Sequence, residues 1–530
     1  MGILWYGGKI YTMKSEEDQV EAVFTNKGFI VDTGTFDELN NKYRNDINQI
    51  TDLQGNVMYP GFVDSHLHII GHGEKLIRLD LSMMTSPEQV LESLKERAKH
   101  LSGDEWLIGE GWNENQWEDP RIIHKSELDE ICPNNPMMLT RVCRHAVLAN
   151  SKAINSANID RHTEDPQGGK IVRDDNGVAI GYFLDTAQEL IKEGIPDVSE
   201  QYLTSVVKAS VDDLLSKGLV GGHSEDLNYY GGFKKTLNAF TNAIDGEDRK
   251  FRTNLLVHHE VLDDMENEGL SYNEGTDFIQ LGAVKIFSDG ALGGRTAWLS
   301  EPYEDDQDNY GIAIHNIENL EELVKKVREK GMPIAVHAIG DQAALTVAKL
   351  IQRYPLQNGR RDRIIHAQIV NEELIELLKT IDVVLDIQPT FVASDFPWII
   401  ERIGSRRVRY AYAWKTLIEN GIPCAGGSDA PIEEVNPLLG IEAAVLRRSN
   451  IDGGYYNETE QLTVYEAVSL YTKGSAYVIS HENDRGQIAP GFTADFTVFN
   501  QDLFTIAPEK ITTSKVEMTI INEQIVYQKQ

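Results

Sequence analysis

The feature that most constrains the fold is a regular alternation of short apolar segments with helical patterns through the middle of the chain. Eight segments have the composition of buried strands: about 58–67, 219–224, 253–258, 283–288, 334–339, 363–369, 383–388 and 424–428. Helical periodicity follows several of them, for example at 319–330, 342–353 and 372–379. Eight strands that alternate with helices predict an α/β fold of the (β/α)8 TIM-barrel type. A doubly wound open sheet would need a glycine-rich turn after the first strand, and residues 65–73 contain none.

The two chain ends have a different pattern, because they contain short strands separated by turns without long helices. Residues 1–55 show this pattern, and so do 494–499, 516–521 and 524–527 near the C-terminus. We therefore expect residues 1–55 and 481–530 to pair into one composite β-sandwich domain, and residues 56–480 to form the barrel.

About 150 residues separate the first two predicted barrel strands, which is far more than one crossover helix needs. This interval contains strand-like segments at 106–110, 137–140 and 181–184, and helical patterns at 87–100 and 199–216. We predict an inserted α/β subdomain at about 70–200 that caps the active site. A long disordered loop is the alternative, and the apolar content of the interval disfavours it.

Charge and composition narrow the class of partner. The 530 residues carry a net charge of −33, which argues against nucleic acid and anionic membrane surfaces. No apolar segment approaches the ~20 residues that span a bilayer, and the N-terminus lacks the pattern of a signal peptide. We expect a soluble, cytoplasmic protein that acts on a small molecule; the oligomeric state stays open, a homodimer included.

The chain has three cysteines, Cys132, Cys143 and Cys424, too few for a disulfide framework or a thiolate metal site. Pairing of Cys132 with Cys143 stays open, although reduced, buried thiols are the more common outcome.

Polar side chains occur where several of the predicted barrel strands end. His66 and His68 are two residues apart, so on a strand they point to the same face and offer two imidazoles to one metal ion. Catalytic side chains of this fold lie at the C-terminal strand ends. The strand-end set consists of His66, His68, Lys285, His337, His366 and Asp429. A single histidine of this kind is more often structural, but coincidence at five of eight strand ends indicates a metal site.

These six strand-end residues resemble, position by position, the metal-dependent amidohydrolase superfamily. The segments at 110–113, 284–297 and 337–341 are similar to its YtcJ-like branch, which includes N-substituted formamide deformylases. The segment Gly-Gln-Ile-Ala-Pro-Gly-Phe-Thr-Ala-Asp-Phe at 486–496 resembles the superfamily's return into its β-sandwich. The resemblance covers nearly the whole chain.

The resemblance implies a binuclear metal centre. His66, His68 and Asp429 would hold one ion, and the histidines of strands five and six would hold the other. Lys285, carboxylated by carbon dioxide, would bridge them; a single-metal site with unmodified Lys285 stays open. Nitrogen and oxygen ligands favour Zn²⁺, although iron, manganese or nickel would also fit.

The predicted reaction is metal-assisted hydrolysis of a carbon–nitrogen bond outside peptides, in an amide, formamide or cyclic amide. Asp429 would be the general base, transferring a proton from water to the departing nitrogen. Ester hydrolysis or decarboxylation on the same metal site, and a catalytically silent binding protein, are the alternatives.

Four residues are weaker candidates for substrate contact. His223, at the end of the second strand, could hydrogen-bond an oxyanion, and His145 could reach in from the inserted subdomain. Arg295, in the glycine-rich loop after strand four, could clamp a carbonyl or carboxylate. Trp112 could wall an apolar pocket together with Trp117, although packing is the commoner role of such aromatics.

Overall fold

The computed structural model describes residues 2–101, 105–118, 120–142, 145–196, 198–357 and 359–530. The chain forms two compact units, of which the first combines Met1–His72 with Glu200–Gln530 and the second is Gly73–Ser199.

The first unit contains a sheet of eight strands, in which every neighbouring pair is parallel. Numbered 1 to 8 in chain order, these barrel strands are Phe62–Leu67, Leu219–Ser224, Arg252–His258, Ile279–Phe287, Ile334–Ala338, Asp362–His366, Val383–Ile387 and Cys424–Gly426. Strands 8 and 1 approach through main-chain hydrogen bonds beyond the short eighth strand, from Asp429 N to His66 O at 2.7 Å and from His68 N to Ala430 O at 2.8 Å. The predicted TIM barrel is therefore confirmed.

Helices follow the barrel strands where the sequence has helical periodicity. The α-helices of this unit are Phe36–Lys42, Ile69–Ile77 (which runs on into the second unit), Glu200–Ser216, Phe233–Ala243, Leu262–Asn267, Ile317–Glu329, Asp341–Arg353, Glu372–Leu378, Phe391–Asp395, Trp398–Arg407, Trp414–Glu419, Pro437–Leu446, Val464–Ser469 and Ser475–Val478. Asparagine caps three of them, since the side chain of Asn316 accepts from Asn319 N at 2.7 Å, that of Asn371 from Leu374 N at 2.9 Å and that of Asn436 from Leu438 N at 3.1 Å. Short 3₁₀ or π turns lie at His259–Val261, Val408–Tyr410, Glu458–Glu460, Leu470–Gly474 and Pro508–Thr513.

The first strand predicted from sequence, at about 58–67, is two strands in the structure. Val57–Pro60 belongs to a sheet outside the barrel, and Phe62–Leu67 is barrel strand 1. Gly61 separates them and donates its N–H to Asp495 O at 2.9 Å. A Cβ atom at Gly61 would lie 2.5 Å from a methyl group of Val220, so only glycine permits this close approach.

Both chain ends contribute to two further sheets of this unit. The six-stranded sheet has the order Gln524–Gln528, Val516–Ile521, Phe496–Phe499, Val57–Pro60, Lys9–Tyr11 and Gln19–Val20. The four-stranded sheet has the order Phe29–Gly34, Ala22–Asn26, Gly2–Tyr6 and Ile47–Asp52. Trp5 and Val23 from the smaller sheet share one buried cluster with Met58 and Phe496 from the larger one. The two sheets thus pack face to face, as a β-sandwich does.

The second unit is an α/β structure built on one mixed sheet. Its strands, in spatial order, are Gly169–Arg173, Ala179–Asp185, Ala146–Ala149, Met137–Arg141, Leu107–Trp112 and Leu79–Asp80. Its helices are Pro87–Ala98, Glu114–Gln116 (3₁₀), Lys125–Ile131, Ser151–Ser156 and Ala187–Lys192. Met137 and Met138, adjacent in one strand, belong to two different buried clusters, so both faces of the sheet are covered. The described part of the insertion therefore has regular secondary structure and two buried clusters, which rules out the alternative of a disordered loop.

Cys132 and Cys424 are buried free thiols, and Cys143 lies outside the described residues. In the part of the chain that the structure describes, every helix is too short or too polar to cross a membrane.

Candidate metal centre

Two imidazoles and one carboxylate converge where the first and last barrel strands meet. The Nε2 atoms of His66 and His68 each lie 3.5 Å from Oδ1 of Asp429. One potential ligand atom from each of the three residues lies within 4.8 Å of the others, a spacing that one metal ion could bridge. This is the single group of three or more such side chains among the described residues.

Hydrogen bonds to oxygen acceptors leave one ring nitrogen available in three of the four strand-end histidines. His68 Nδ1 lies 2.7 Å from Glu225 O, and His366 Nδ1 lies 2.7 Å from Gln388 Oε1. His337 Nε2 lies 3.2 Å from Gly290 O. Because these oxygens only accept, the ring nitrogens that face them carry protons, and the opposite nitrogens are the ones that could face a metal ion. Metal-binding histidines are oriented in this way, so the donor set fits a divalent cation.

The remaining strand-end residues surround this group. The ring centroid of His366 is 5.6 Å from that of His66 and 4.5 Å from that of His337. Lys285 is buried, with its Nζ 4.5 Å from the ring centroid of Phe287. The structure therefore brings all six predicted strand-end side chains to one end of the barrel.

Burial and mutual charge shift the pKa values of this cluster. Desolvation, aided by the charge of Lys285, holds the pKa of His66 well below its usual value and lowers that of His366 to about 4. Burial also opposes charge on His68, but Asp429 outweighs it and raises the pKa of His68 to about 9. The pKa of Asp429 is lowered in turn, although burial opposes this. A metal ion bound by His68 and Asp429 would compete with a proton at neutral pH, so its binding would release that proton.

The backbone at the site is held in conformations that side chains usually avoid. Asp429 has φ 58°, His366 has φ 78° and Ala367 has φ 43°. Such left-handed residues persist where surrounding contacts determine them, and they cluster at functional sites.

Asp64, which the sequence analysis did not single out, supports this backbone. Its buried carboxylate accepts from His66 N at 3.0 Å and from Ser428 N at 3.1 Å. Burial raises the pKa of Asp64 to about 7. A Cβ atom at Gly427 would lie 2.5 Å from His66 N, so glycine is required for strand 8 to approach strand 1 this closely. The only sequence signal for Asp64 was its place two residues before His66.

Glu225 is a second residue that the sequence analysis missed. It directly follows barrel strand 2, and its side chain is 1% exposed. Its Oε2 lies 3.5 Å from Nζ of Lys285, and its Oε1 accepts from the hydroxyl of Tyr229 at 2.7 Å. The segment His-Ser-Glu-Asp at a strand end could have indicated it.

Two of the substrate-contact candidates have other surroundings than expected. His223 is fully buried, and it lines a cavity of about 30 Å³ together with Gly61, Arg252 and Asn254 near the starts of strands 1 and 3. Its ring therefore faces away from the strand ends, which corrects the expected oxyanion contact. Trp112 is fully buried in a hydrophobic cluster of the second unit and donates Nε1–H to Leu139 O at 2.9 Å, so it has the packing role.

Of the other two candidates, Arg295 is paired with a neighbouring carboxylate and His145 is exposed at the surface. Arg295 donates to both carboxylate oxygens of Asp305, from Nε at 3.1 Å and from Nη2 at 2.8 Å. This ion pair already occupies the guanidinium N–H groups that were expected to bind a substrate carbonyl or carboxylate. His145 is exposed on the second unit, where its carbonyl accepts from Asp185 N at 2.7 Å. Substrate contact by His145 stays a prediction.

A TIM barrel whose strand ends gather imidazoles, a carboxylate and a buried lysine defines the class of metal-dependent hydrolases. The sequence model of the amidohydrolase family matches residues 49–527, and the chain belongs to this family.

Individual relatives agree with this assignment. The chain is 51% identical to YtcJ of Bacillus subtilis (strain 168), whose name assigns it to the amidohydrolases, over 100% of both chains. It is 23% identical to the N-substituted formamide deformylase of Arthrobacter pascens, over 98% of this chain and 97% of that protein. The crystal structure of an uncharacterized metal-dependent hydrolase from Pyrococcus furiosus superimposes with a TM-score of 0.81 at 28% identity, over 95% of this chain and 100% of that one. The predicted resemblance to the amidohydrolases and their YtcJ-like branch is thus confirmed.

Proposed function

We propose that this enzyme hydrolyses a carbon–nitrogen bond of a small molecule, in an amide, a formamide or a cyclic amide, at a divalent metal centre. The observation that carries the proposal is the convergence of His66, His68 and Asp429 at one end of the barrel, with their ligand atoms within 4.8 Å of one another. The activity for which the Arthrobacter relative is named, deformylation of N-substituted formamides, belongs to the proposed substrate range.

In the proposed centre, His66, His68 and Asp429 would hold one ion, and His337 and His366 the other. Lys285 would bridge the two as a carbamate, formed when its neutral Nζ amine adds to the carbon of carbon dioxide and loses one proton. A carbamate supplies anionic oxygen atoms, whereas an ammonium group would repel the metal. The nitrogen and oxygen donors favour Zn²⁺.

When bound, such ions lower the pKa of a water molecule from ~15.7 toward ~7 and polarise a carbonyl group. Asp429 accepts the proton of the attacking water on its carboxylate and donates it to the departing nitrogen. The hydrogen bond from its main-chain N–H to His66 O at 2.7 Å fixes the backbone that carries this carboxylate. Burial of the cluster excludes bulk water and strengthens each electrostatic contact.

We also propose that substrate selectivity resides in the inserted unit and in the loops after the barrel strands. In this fold, these segments vary while the metal ligands stay on the strands.

The test combines metal analysis with an activity panel of N-substituted formamides, N-acyl compounds, cyclic amides and esters. We expect bound metal, and turnover of at least one carbon–nitrogen substrate. His66→Asn should lose metal and turnover, whereas His259→Asn, a matched change of a histidine outside the ligand set, should keep both. Purified enzyme without metal and without turnover, or exclusive turnover of esters, would refute the proposal.

A further inference from the structure

Glu225 lies between two of the proposed metal ligands. It directly follows barrel strand 2, and its main-chain carbonyl accepts the Nδ1–H of His68 at 2.7 Å. This contact holds the ring so that its Nε2 faces Asp429 at 3.5 Å. The backbone of Glu225 thus already orients one ligand.

The side chain of Glu225 turns toward a second ligand. Its Oε2 is buried, has no hydrogen-bond partner among the described residues, and lies 3.5 Å from Nζ of Lys285 and 4.0 Å from Nδ1 of His68. The other oxygen is held by the Tyr229 hydroxyl at 2.7 Å. A buried carboxylate oxygen without a donor is costly, so this position requires a nearby N–H group. The imidazole Nδ1–H of His68 is already donated elsewhere, which leaves Lys285.

We propose that Glu225 is a positioning residue of the metal centre, which orients Lys285 by accepting a hydrogen bond from its Nζ. This inference rests on the proposed metal centre. Both forms of the lysine can donate, since an ammonium group carries three N–H bonds and a carbamate nitrogen still carries one. The substituents of a carbamate nitrogen point in different directions. Pinning its N–H to Glu225 therefore turns its carboxylate away from Glu225, which also keeps the two anionic groups apart.

The experiment compares Glu225→Gln with the wild type and with Glu260→Gln. Glu260 is a matched control, because it lies at the neighbouring strand end but its side chain is 62% exposed. Metal affinity is measured by competition with a chelator, and carboxylation of Lys285 by the ¹³C NMR signal of protein supplied with ¹³C-bicarbonate. We expect Glu225→Gln to lose 10–100-fold in affinity for Zn²⁺, as is typical when a group that orients a ligand is removed, together with most of the carbamate signal. Glu260→Gln should match the wild type in both, and kcat should fall in Glu225→Gln with KM unchanged.

A double-mutant cycle separates this role from a general structural one. If Glu225 acts through Lys285, Glu225→Gln should cause no additional loss of metal affinity when Lys285→Gln is already present. Equal loss in both backgrounds would overturn the inference, and so would wild-type affinity and carbamate signal in Glu225→Gln. If Glu225→Gln fails to fold, Glu225→Asp, which keeps the charge and withdraws it by one methylene, must show reduced affinity for the inference to stand. A wild-type protein that binds no metal would instead refute the proposed function.

Discussion

Replacing Asp429 with asparagine tests the proposed general base with little disturbance of the fold. Asp429 has φ 58°, and asparagine is among the few residues that adopt this left-handed conformation readily. The main-chain hydrogen bond to His66 O at 2.7 Å does not involve the side chain and is retained. The variant does lose the ion pair with His68, so we expect the free energy of unfolding to fall by about 1–3 kcal/mol.

The catalytic effect should exceed the effect on stability. An amide cannot accept the proton of water at neutral pH, and general acid–base catalysis typically contributes 10²–10⁴-fold. At ~1.4 kcal/mol for each factor of ten, the barrier should rise by about 3–5 kcal/mol. The amide oxygen and the two imidazoles still offer donors, so most of the metal should stay bound.

Three measurements decide the outcome: kcat on the best substrate of the panel, metal content per chain, and the melting temperature. For kcat and metal content, Asp395→Asn is the matched control, because Asp395 is also buried but its partner is the hydroxyl of Tyr412, outside the ligand set. A kcat within tenfold of the wild type in metal-loaded Asp429→Asn would refute the role as base. If metal content falls in proportion to activity, Asp429 acts only as a metal ligand and not as the base.

Four further predictions concern the metal, the site backbone and stability. Dialysis against a chelator should abolish turnover and added Zn²⁺ should restore it; activity that survives complete metal removal would contradict the proposed centre. Gly427→Ala would place a Cβ atom 2.5 Å from His66 N, so it should reduce metal content and lower stability by ~1–3 kcal/mol, as thermal melts and metal analysis would show. Arg252→Met leaves the buried carboxylate of Asp495 without its cation and should cost ~3–5 kcal/mol in urea denaturation, whereas an unchanged midpoint would show that the pair contributes nothing. Burial raises the pKa of Asp395 to about 7, so the folded state binds its proton more tightly than the unfolded chain and loses stability as the pH rises from about 4 to 7. Asp395→Asn should consequently stabilise the protein at pH 8 by on the order of 4 kcal/mol and hardly at pH 4; an equal effect at both pH values would contradict this assignment.

The fold could be predicted because its main determinants are local and repeated. Barrel strand 2 was predicted at 219–224 and is observed at Leu219–Ser224. A short apolar run between two segments of helical periodicity is long enough for a buried strand and too short for a helix. The division of 58–67 into two strands of different sheets was missed, because the break at Gly61 depends on the close approach of Val220, a residue far away in the chain. The two strands on either side of Gly61 form one apolar run in the sequence.

The strand-end side chains could be predicted for a related reason. Parallel strands of a barrel place their C-terminal ends at one face, so the position of a residue along its own strand indicates its place in the site. The positions of the site residues that were missed or misplaced depend on contacts between segments that are distant in the chain. Asp64 accepts from Ser428, 364 residues away in the chain, and Glu225, after barrel strand 2, meets Lys285 of barrel strand 4, with strand 3 between them in the sheet. His223 also ends a strand, but its ring points toward the starts of the strands.

The sequence by itself determined the order of strands and helices, the two-residue spacing of His66 and His68, and the chemical types of the other strand-end side chains. These properties follow from the periodicity of the backbone and the polarity of each side chain. Only the tertiary structure decided which ring nitrogen of His68, His337 and His366 faces an oxygen acceptor, which carboxylate faces Lys285, and that Arg295 is already paired with Asp305. Hydrogen bonds and ion pairs of this kind act over about 3–4 Å. Their partners are therefore set by how distant segments pack, which no local pattern encodes.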